Sequence, residues 1–248
     1  MVGQVYKQIA GRVEEGKKSF ALLIDPDKYT ASSLEHTIGI AVQSGVSFIF
    51  VGGSLLAGSS VSETIKVIKS FSDLPVFIFP GSTLQFSQEA DALLFLSLIS
   101  GRNADLLIGR HVEIAPYLKA SSVEVIPTGY MLVDCGRQTT ASYISNTQPL
   151  PSDKPDIAVC TAVAGEFLGL RLIYMDGGSG AAMPIPPQMI SAVKDNISIP
   201  LIVGGGIRTK KALQDACNAG ADVIVVGNAI ESDPELLLHF ADAIHWPA

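Results

Sequence analysis

The chain has 248 residues, 48% of them apolar and 17% charged, which is enough apolar surface for one large α/β domain or two small ones and excludes a disordered chain. Seventeen Lys and Arg against 24 Asp and Glu give a net charge of -7. That excludes a nucleic-acid binder working through a basic surface, so any phosphate ligand must be met by local donors or a metal.

The three cysteines, Cys135, Cys160 and Cys217, are odd in number and lack metal-ligand spacing, which argues against a secreted disulfide framework. At the N-terminus, Arg12, Glu14, Glu15, Lys17 and Lys18 precede any apolar run. This is not the layout of a signal peptide, and a cytoplasmic protein is expected. Mean hydropathy is high at +0.37. The uncharged stretch 177–193 is nevertheless broken by Pro184, Pro186 and Pro187, and the apolar run 92–99 is only strand-sized, so no transmembrane segment is expected.

Short runs rich in β-branched and aromatic residues occur at 19–24, 46–51, 75–79, 92–98, 123–127, 170–175, 200–203 and 222–226, a pattern suited to buried parallel strands. Amphipathic stretches at 31–44, 60–71, 105–118, 187–193 and 210–219 read as crossover helices between them. The polar stretch 138–154 reads as an insertion after the fifth strand. Eight βα units in a chain of this length fit a single closed (β/α)8 barrel, a TIM barrel spanning 1–248, more economically than a doubly wound sheet.

In such barrels the chemistry gathers at the C-terminal ends of the strands. Strand one ends in Asp25-Pro26-Asp27-Lys28, strand two in Gly52-Gly53-Ser54, strand three in Pro80-Gly81-Ser82 and strand six in Asp176-Gly177-Gly178-Ser179-Gly180. Gly204-Gly205-Gly206 follows strand seven, and Gly227-Asn228 follows strand eight and opens a short helix. Two glycine loops in register there predict a phosphate grip made of backbone N–H groups; the alternative is that they are only tight βα turns.

Asp25 beside Lys28 offers a carboxylate and a mobile cation, and with the hydroxyl of Ser54 suits Mg²⁺, which needs few protein oxygens. Asp25 reads equally well as a turn former before Pro26. Strand alternation puts Tyr174 and Asp176 on one face of strand six and Met175 on the other. Asp176 at the mouth is a candidate general base, or a solvated turn residue. His111 has no second ligand at metal spacing and reads as a structural or surface histidine. Tyr130, Arg137 and Gln138 follow the run at strand five and either line the mouth or pack in a loop.

The segments LLIDPDK, FVGGSLL, PGS, YMDGGSGA, VGGGIR and VGNAIE, in this order and each at a strand end, resemble those of geranylgeranylglyceryl phosphate synthase and its heptaprenylglyceryl phosphate synthase relatives over nearly the whole chain. The resemblance implies a prenyltransferase of ether-lipid synthesis. It would join the 3-hydroxyl of sn-glycerol 1-phosphate to a long-chain prenyl diphosphate, geranylgeranyl diphosphate above all, and release pyrophosphate. It implies Mg²⁺ held by Asp25 and Ser54, diphosphate met by Lys28, and glycerol phosphate held by Tyr174, Met175, Asp176, Gly177, Gly178, Ser179, Gly180, Gly205, Gly206, Gly227 and Asn228. Many members carry Glu where this chain has Asp176, which sets the base back by about one C–C bond.

Family grounds also imply self-association as a dimer or higher, and the lipid product implies transient contact with a membrane surface. A prenyl chain needs an apolar trough, for which there is room along Phe77, Phe79, Phe95 and Leu98, although most of these side chains read equally as simple barrel core. The competing readings are a sugar-phosphate isomerase or synthase on the same barrel, for which Glu124 is the candidate second carboxylate, and a non-catalytic binder of phosphometabolites or prenyl lipids.

Overall fold

The computed structural model describes residues 3–244. Eight parallel strands close into a barrel in the order β1 to β8: β1 Ser19–Ile24, β2 Phe48–Val51, β3 Val76–Ile78, β4 Ala92–Leu98, β5 Glu124–Leu132, β6 Leu172–Asp176, β7 Leu201–Gly204 and β8 Val223–Val226. Pairing of Ser19 with Val223 and of Ala21 with Phe48 closes the ring through β1. The helices are α1 Gln4–Glu14, α2 Ala31–Gln43, α3 Val61–Phe71, α4 Arg110–Lys119, α5 Thr140–Ser145, α6 Pro155–Phe167, α7 Pro187–Lys194, α8 Lys210–Asn218, α9 Asn228–Ser232 and α10 Leu236–Ile244.

Strand alternation sorts the apolar residues into two cores. Ala21, Phe48, Phe50, Phe77, Leu94, Ile126, Leu172, Tyr174, Ile202 and Val225 fill the barrel, whereas Leu22, Ile49, Val76, Ile173, Met175, Val203 and Ile224 pack outward against the helices. Both strand faces are therefore apolar, as a parallel sheet covered by helices requires.

The N-terminal end of the barrel is closed by α1, whose Val5 and Ile9 join the inner core. Glu124, at the start of β5, accepts from the N–H groups of Val5 at 2.8 Å and Tyr6 at 3.1 Å. It thus satisfies the first free donors of that helix and lies at the end of the barrel opposite the strand-end loops.

One sequence expectation is corrected here and another is given detail. Strand five does not stop at 127 but runs to Leu132. Pro127 and Gly129 suggest a break, yet Gly129 is needed for packing: a Cβ there would lie 2.8 Å from Ile99 Cδ1 and 2.9 Å from Ile173 Cδ1. Secondly, the 138–154 insertion carries α5 and returns to the barrel, where Leu150 N–H donates to Leu132 O and Asp134 N–H to Leu150 O. The stretch 105–118 begins as one π-helical turn, Asp105–Gly109, before α4.

Candidate active site

The mouth at the C-terminal strand ends has a polar half over β6, β7 and β8. Asp176, the last residue of β6, is 7% exposed. Its Oδ2 accepts the Tyr130 hydroxyl at 2.5 Å and its Oδ1 accepts the Gly178 N–H at 2.7 Å. Burial raises its pKa, and these two donors, Tyr130 first, pull it back down. The result is a buried carboxylate more basic than usual and fixed in direction, the environment of a general base.

Tyr130 was left open between mouth and loop by the sequence, but it belongs to β5. Counting inward positions from Ile126 through Thr128 brings it to the barrel interior, opposite Tyr174 in the register. Its ring meets Tyr174 edge-on at 5.5 Å and Phe79 at 5.7 Å. Tyr174 itself stacks on Phe79 at 5.0 Å. Burial and the Asp176 charge push both phenols well above their ordinary pKa, so both stay neutral, and Tyr130 donates to Asp176.

The glycine loops interlock behind Asp176. Gly205 has φ +85°, and a Cβ there would sit 2.7 Å from Gly178 N, 2.8 Å from Gly177 N and 2.9 Å from Asp176 Oδ1. Only glycine fits both the left-handed backbone and that contact. Gly177 N–H donates to Gly204 O, Arg208 Nη2 donates to Ala181 O at 2.7 Å, and Asn228 Oδ1 accepts from Ser179 Oγ at 2.9 Å and Gly180 N–H at 3.0 Å. The N–H groups of Gly205, Gly206, Asn228 and Ala229, by contrast, donate to no acceptor among the described residues. They are the donors left over for an anion at the ends of β7 and β8. Met175 is the one residue of this set whose side chain is turned away, into the outer core.

The other half of the mouth lies over β1 to β4. Asp25 caps the 3-10 turn Pro26–Lys28 by accepting Asp27 N–H at 3.0 Å through Oδ1. The turn-former reading holds, and its Oδ2 also faces Gly53, 3.4 Å from where a Cβ on that glycine would be. Burial raises the Asp25 pKa, countered by Asp27 N–H and then by Lys28. Lys28 is exposed, and its charge is felt by Asp25 and by Glu231 of α9. Ser54, half-buried beside Gly53, opens on the adjoining cavity.

Two residues that fix this half were not singled out in the sequence. Asp27 accepts from the N–H groups of Ala57 at 2.6 Å and Ser59 at 2.8 Å, tying the β2 loop to the β1 loop. Buried Gln85 donates to Gly53 O at 2.7 Å and accepts from Gly81 N–H at 3.1 Å, joining the loops of β2 and β3. The DPDK motif pointed to Asp27; nothing in the local sequence pointed to Gln85.

From Ser54 a cavity of about 180 Å³ runs past Phe79, Leu94, Leu96, Leu98 and Tyr130 to Phe86, Phe95, His111 and Ile114. It reaches both faces of β4 because β3 pairs with that strand only through Phe77–Ala92 and Ile78–Leu93, leaving the upper part of β4 open on that side. Phe79, Phe95 and Leu98 line it as expected. Phe77 does not, being fully enclosed in the barrel core. His111 is buried in its wall, its ring 4.3 Å from that of Phe95 and its Nε2 3.4 Å from Ser97 Oγ. Among the described residues no group of three or more His, Cys, Asp or Glu is placed to hold a metal.

The sequence pattern of the PcrB family matches residues 12–244. A Chitinophaga pinensis protein named geranylgeranylglyceryl phosphate synthase is 51% identical over 100% of this chain and 98% of its own length. A Spirosoma linguale protein of the same name is 52% identical over 92% of each. The crystal structure of (S)-3-O-geranylgeranylglyceryl phosphate synthase from Thermoplasma acidophilum, in complex with its substrate sn-glycerol-1-phosphate, superposes with a TM-score of 0.91 at 33% identity, covering 98% of both chains. With this barrel, these strand-end motifs and a match across nearly its full length, the chain belongs to the PcrB family.

Proposed function

We propose that this protein forms an ether bond between the 3-hydroxyl of sn-glycerol 1-phosphate and the allylic carbon of a long-chain prenyl diphosphate. The observation that carries this reading is the place of Asp176, a buried carboxylate of raised pKa beside loops with unpaired backbone N–H groups and bonded to Tyr130, which lines the apolar cavity. The phosphate would take the unpaired N–H groups of Gly205, Gly206, Asn228 and Ala229, with its glycerol directed towards Asp176. The carboxylate accepts the hydroxyl proton as the oxygen attacks the allylic carbon, and the bond from that carbon to the diphosphate breaks. The diphosphate leaves with the bonding electrons, and Lys28 offsets its charge.

One carboxylate and one hydroxyl, Asp25 and Ser54, form a donor set too small for a closed metal site but fit Mg²⁺, which keeps waters and substrate phosphates in its shell. When bound there, Mg²⁺ would supply charge to stabilise the departing diphosphate. The prenyl chain would occupy the cavity along Phe79, Leu96 and Ile114, and a geranylgeranyl chain is the substrate that the names of the relatives favour.

No helix among the described residues is long and apolar enough to cross a membrane. A cytoplasmic enzyme would meet its lipid substrate at a membrane surface, and exposed Leu84, Ile108, Val112 and Tyr143 neighbour the cavity lining in sequence. Self-association would cover exposed Phe167 and Leu168 at the C-terminal end of α6. The isomerase reading loses its second carboxylate, since Glu124 caps α1 at the far end of the barrel.

The test is conversion of radiolabelled sn-glycerol 1-phosphate to an organic-extractable ether by pure protein, with Mg²⁺ and a panel of prenyl diphosphates. Ether that appears with the label and requires the prenyl diphosphate is the expected result. No extractable label with any chain length would leave the protein a binder without this activity.

A further inference from the structure

Asn228 is held from two sides in a way that leaves its amide one orientation. Its Oδ1 accepts from Ser179 Oγ and from Gly180 N–H, and its Nδ2 donates to Glu231 Oε2 at 3.1 Å. If the amide were turned over, its oxygen would face the Glu231 carboxylate and its NH₂ would face the Gly180 N–H. Both contacts would be repulsive, since a carboxylate only accepts and a backbone N–H only donates. Glu231 lies one helical turn after Asn228 in α9, half-buried, so the two meet without distortion.

We infer that Glu231 is a positioning residue for the glycerol phosphate site: it fixes the amide of Asn228, and Asn228 then works as a strut that holds the β6 loop at Ser179–Gly180 against the β8 loop. The inference rests on the functional reading above for the identity of the ligand, and on geometry alone for the strut. It reassigns Asn228 within the site. With Oδ1 engaged by two donors and one Nδ2–H by the carboxylate, the side chain keeps only its second N–H, and the backbone N–H is the other donor left for a phosphate.

The residue needed at 231 is one that presents an acceptor to Nδ2. Gln can turn its carbonyl towards Asn228 and keep the strut, whereas Ala cannot. This separates the strut from the negative charge that Glu231 also places near Asp25 and Lys28. Loss of a charge-assisted hydrogen bond that orders a binding loop is expected to weaken sn-glycerol 1-phosphate roughly tenfold.

Titration calorimetry with sn-glycerol 1-phosphate and steady-state kinetics on the full chain test this with Glu231→Ala, Glu231→Gln, Asn228→Ala and the double Ala variant. Glu231→Ala should raise the Kd and the KM for glycerol phosphate roughly tenfold and the KM for prenyl diphosphate less than twofold. Glu231→Gln should stay within threefold of the parent, and the double variant should be no worse than Asn228→Ala alone, because the two residues act in series. Glu231→Ala binding glycerol phosphate within twofold of the parent overturns the inference. So does Glu231→Gln losing as much as Glu231→Ala, which would assign the effect to charge. In ¹H–¹⁵N spectra without ligand, the Gly180 amide and the Asn228 side-chain NH₂ should shift in Glu231→Ala and keep their positions in Glu231→Gln. Unmoved signals in Glu231→Ala refute the strut even if the protein binds no glycerol phosphate, an outcome that by itself would count only against the functional reading.

Discussion

The two halves of the barrel mouth solve opposite problems. Over β6, β7 and β8 the loops are knitted by short polar contacts, among them Asp176 to Gly178, Asn228 to Gly180 and Arg208 to Ala181, and Gly205 sits where a single added carbon would strike three atoms. Over β3 and β4 the strands part early, and the space between them is lined by Phe, Leu and Ile side chains. A phosphate and a hydroxyl need donors and a base at fixed positions, because the strength of polar contacts falls steeply with misplacement. A hydrocarbon chain needs only volume and the exclusion of water.

The sharpest way to break this comparison is at the carboxylate of the rigid half. Asp176→Asn keeps the shape but removes the base, and turnover should fall roughly 10²- to 10⁴-fold while the KM for glycerol phosphate changes little. A variant with full turnover would show that the proton leaves by another route. Gly205→Ala attacks the same half through the backbone. Forcing a Cβ against Gly177, Gly178 and Asp176 at φ +85° should weaken glycerol phosphate roughly 10- to 100-fold, measured as Kd, with the prenyl diphosphate KM close to that of the parent.

Filling the permissive half should act on the other substrate. Ile114→Trp places a bulky ring in the cavity wall, and kcat/KM for the longest accepted prenyl diphosphate should drop roughly tenfold relative to shorter ones. The glycerol phosphate KM should hold. If chain-length preference is indifferent to this change, the cavity is not the prenyl trough.

The same contrast explains what could be read in the sequence. Residues that need one conformation or one chemistry announce themselves: Asp25, Asp176 and the glycines of the β6 and β7 loops stood out because few other residues can occupy those positions. The eight-strand alternation was legible for a similar reason, since buried parallel strands demand continuous apolar runs. The cavity was legible only in part, because Phe79, Phe95 and Leu98 look like any barrel core and only the short β3–β4 pairing turns them into a lining. Gln85 was invisible because its partners, Gly53 and Gly81, are reached only once the strands are side by side. Tyr130 stayed open between mouth and loop because the apolar run stops at Pro127, whereas β5 continues to Leu132 with Gly129 packed against Ile99 and Ile173.

Tyr130 belongs to both halves, its ring in the cavity lining and its hydroxyl on Asp176, so Tyr130→Phe tests where they join. The ring is kept and the apolar surface barely changes, leaving the prenyl diphosphate KM near the parent value. Loss of the O–H donor removes a hydrogen bond that favours the charged carboxylate, and burial, the larger influence on Asp176, then acts with less opposition. The Asp176 pKa therefore rises further. Because the base must be ionised to accept a proton, activity is retained above this pKa and lost as pH falls through it. The acid limb of kcat/KM should move to higher pH, while the plateau at high pH changes less. An acid limb that does not move would mean that the group titrating there is not Asp176, and one that moves to lower pH would mean that the Tyr130 hydroxyl had been stabilising the protonated acid.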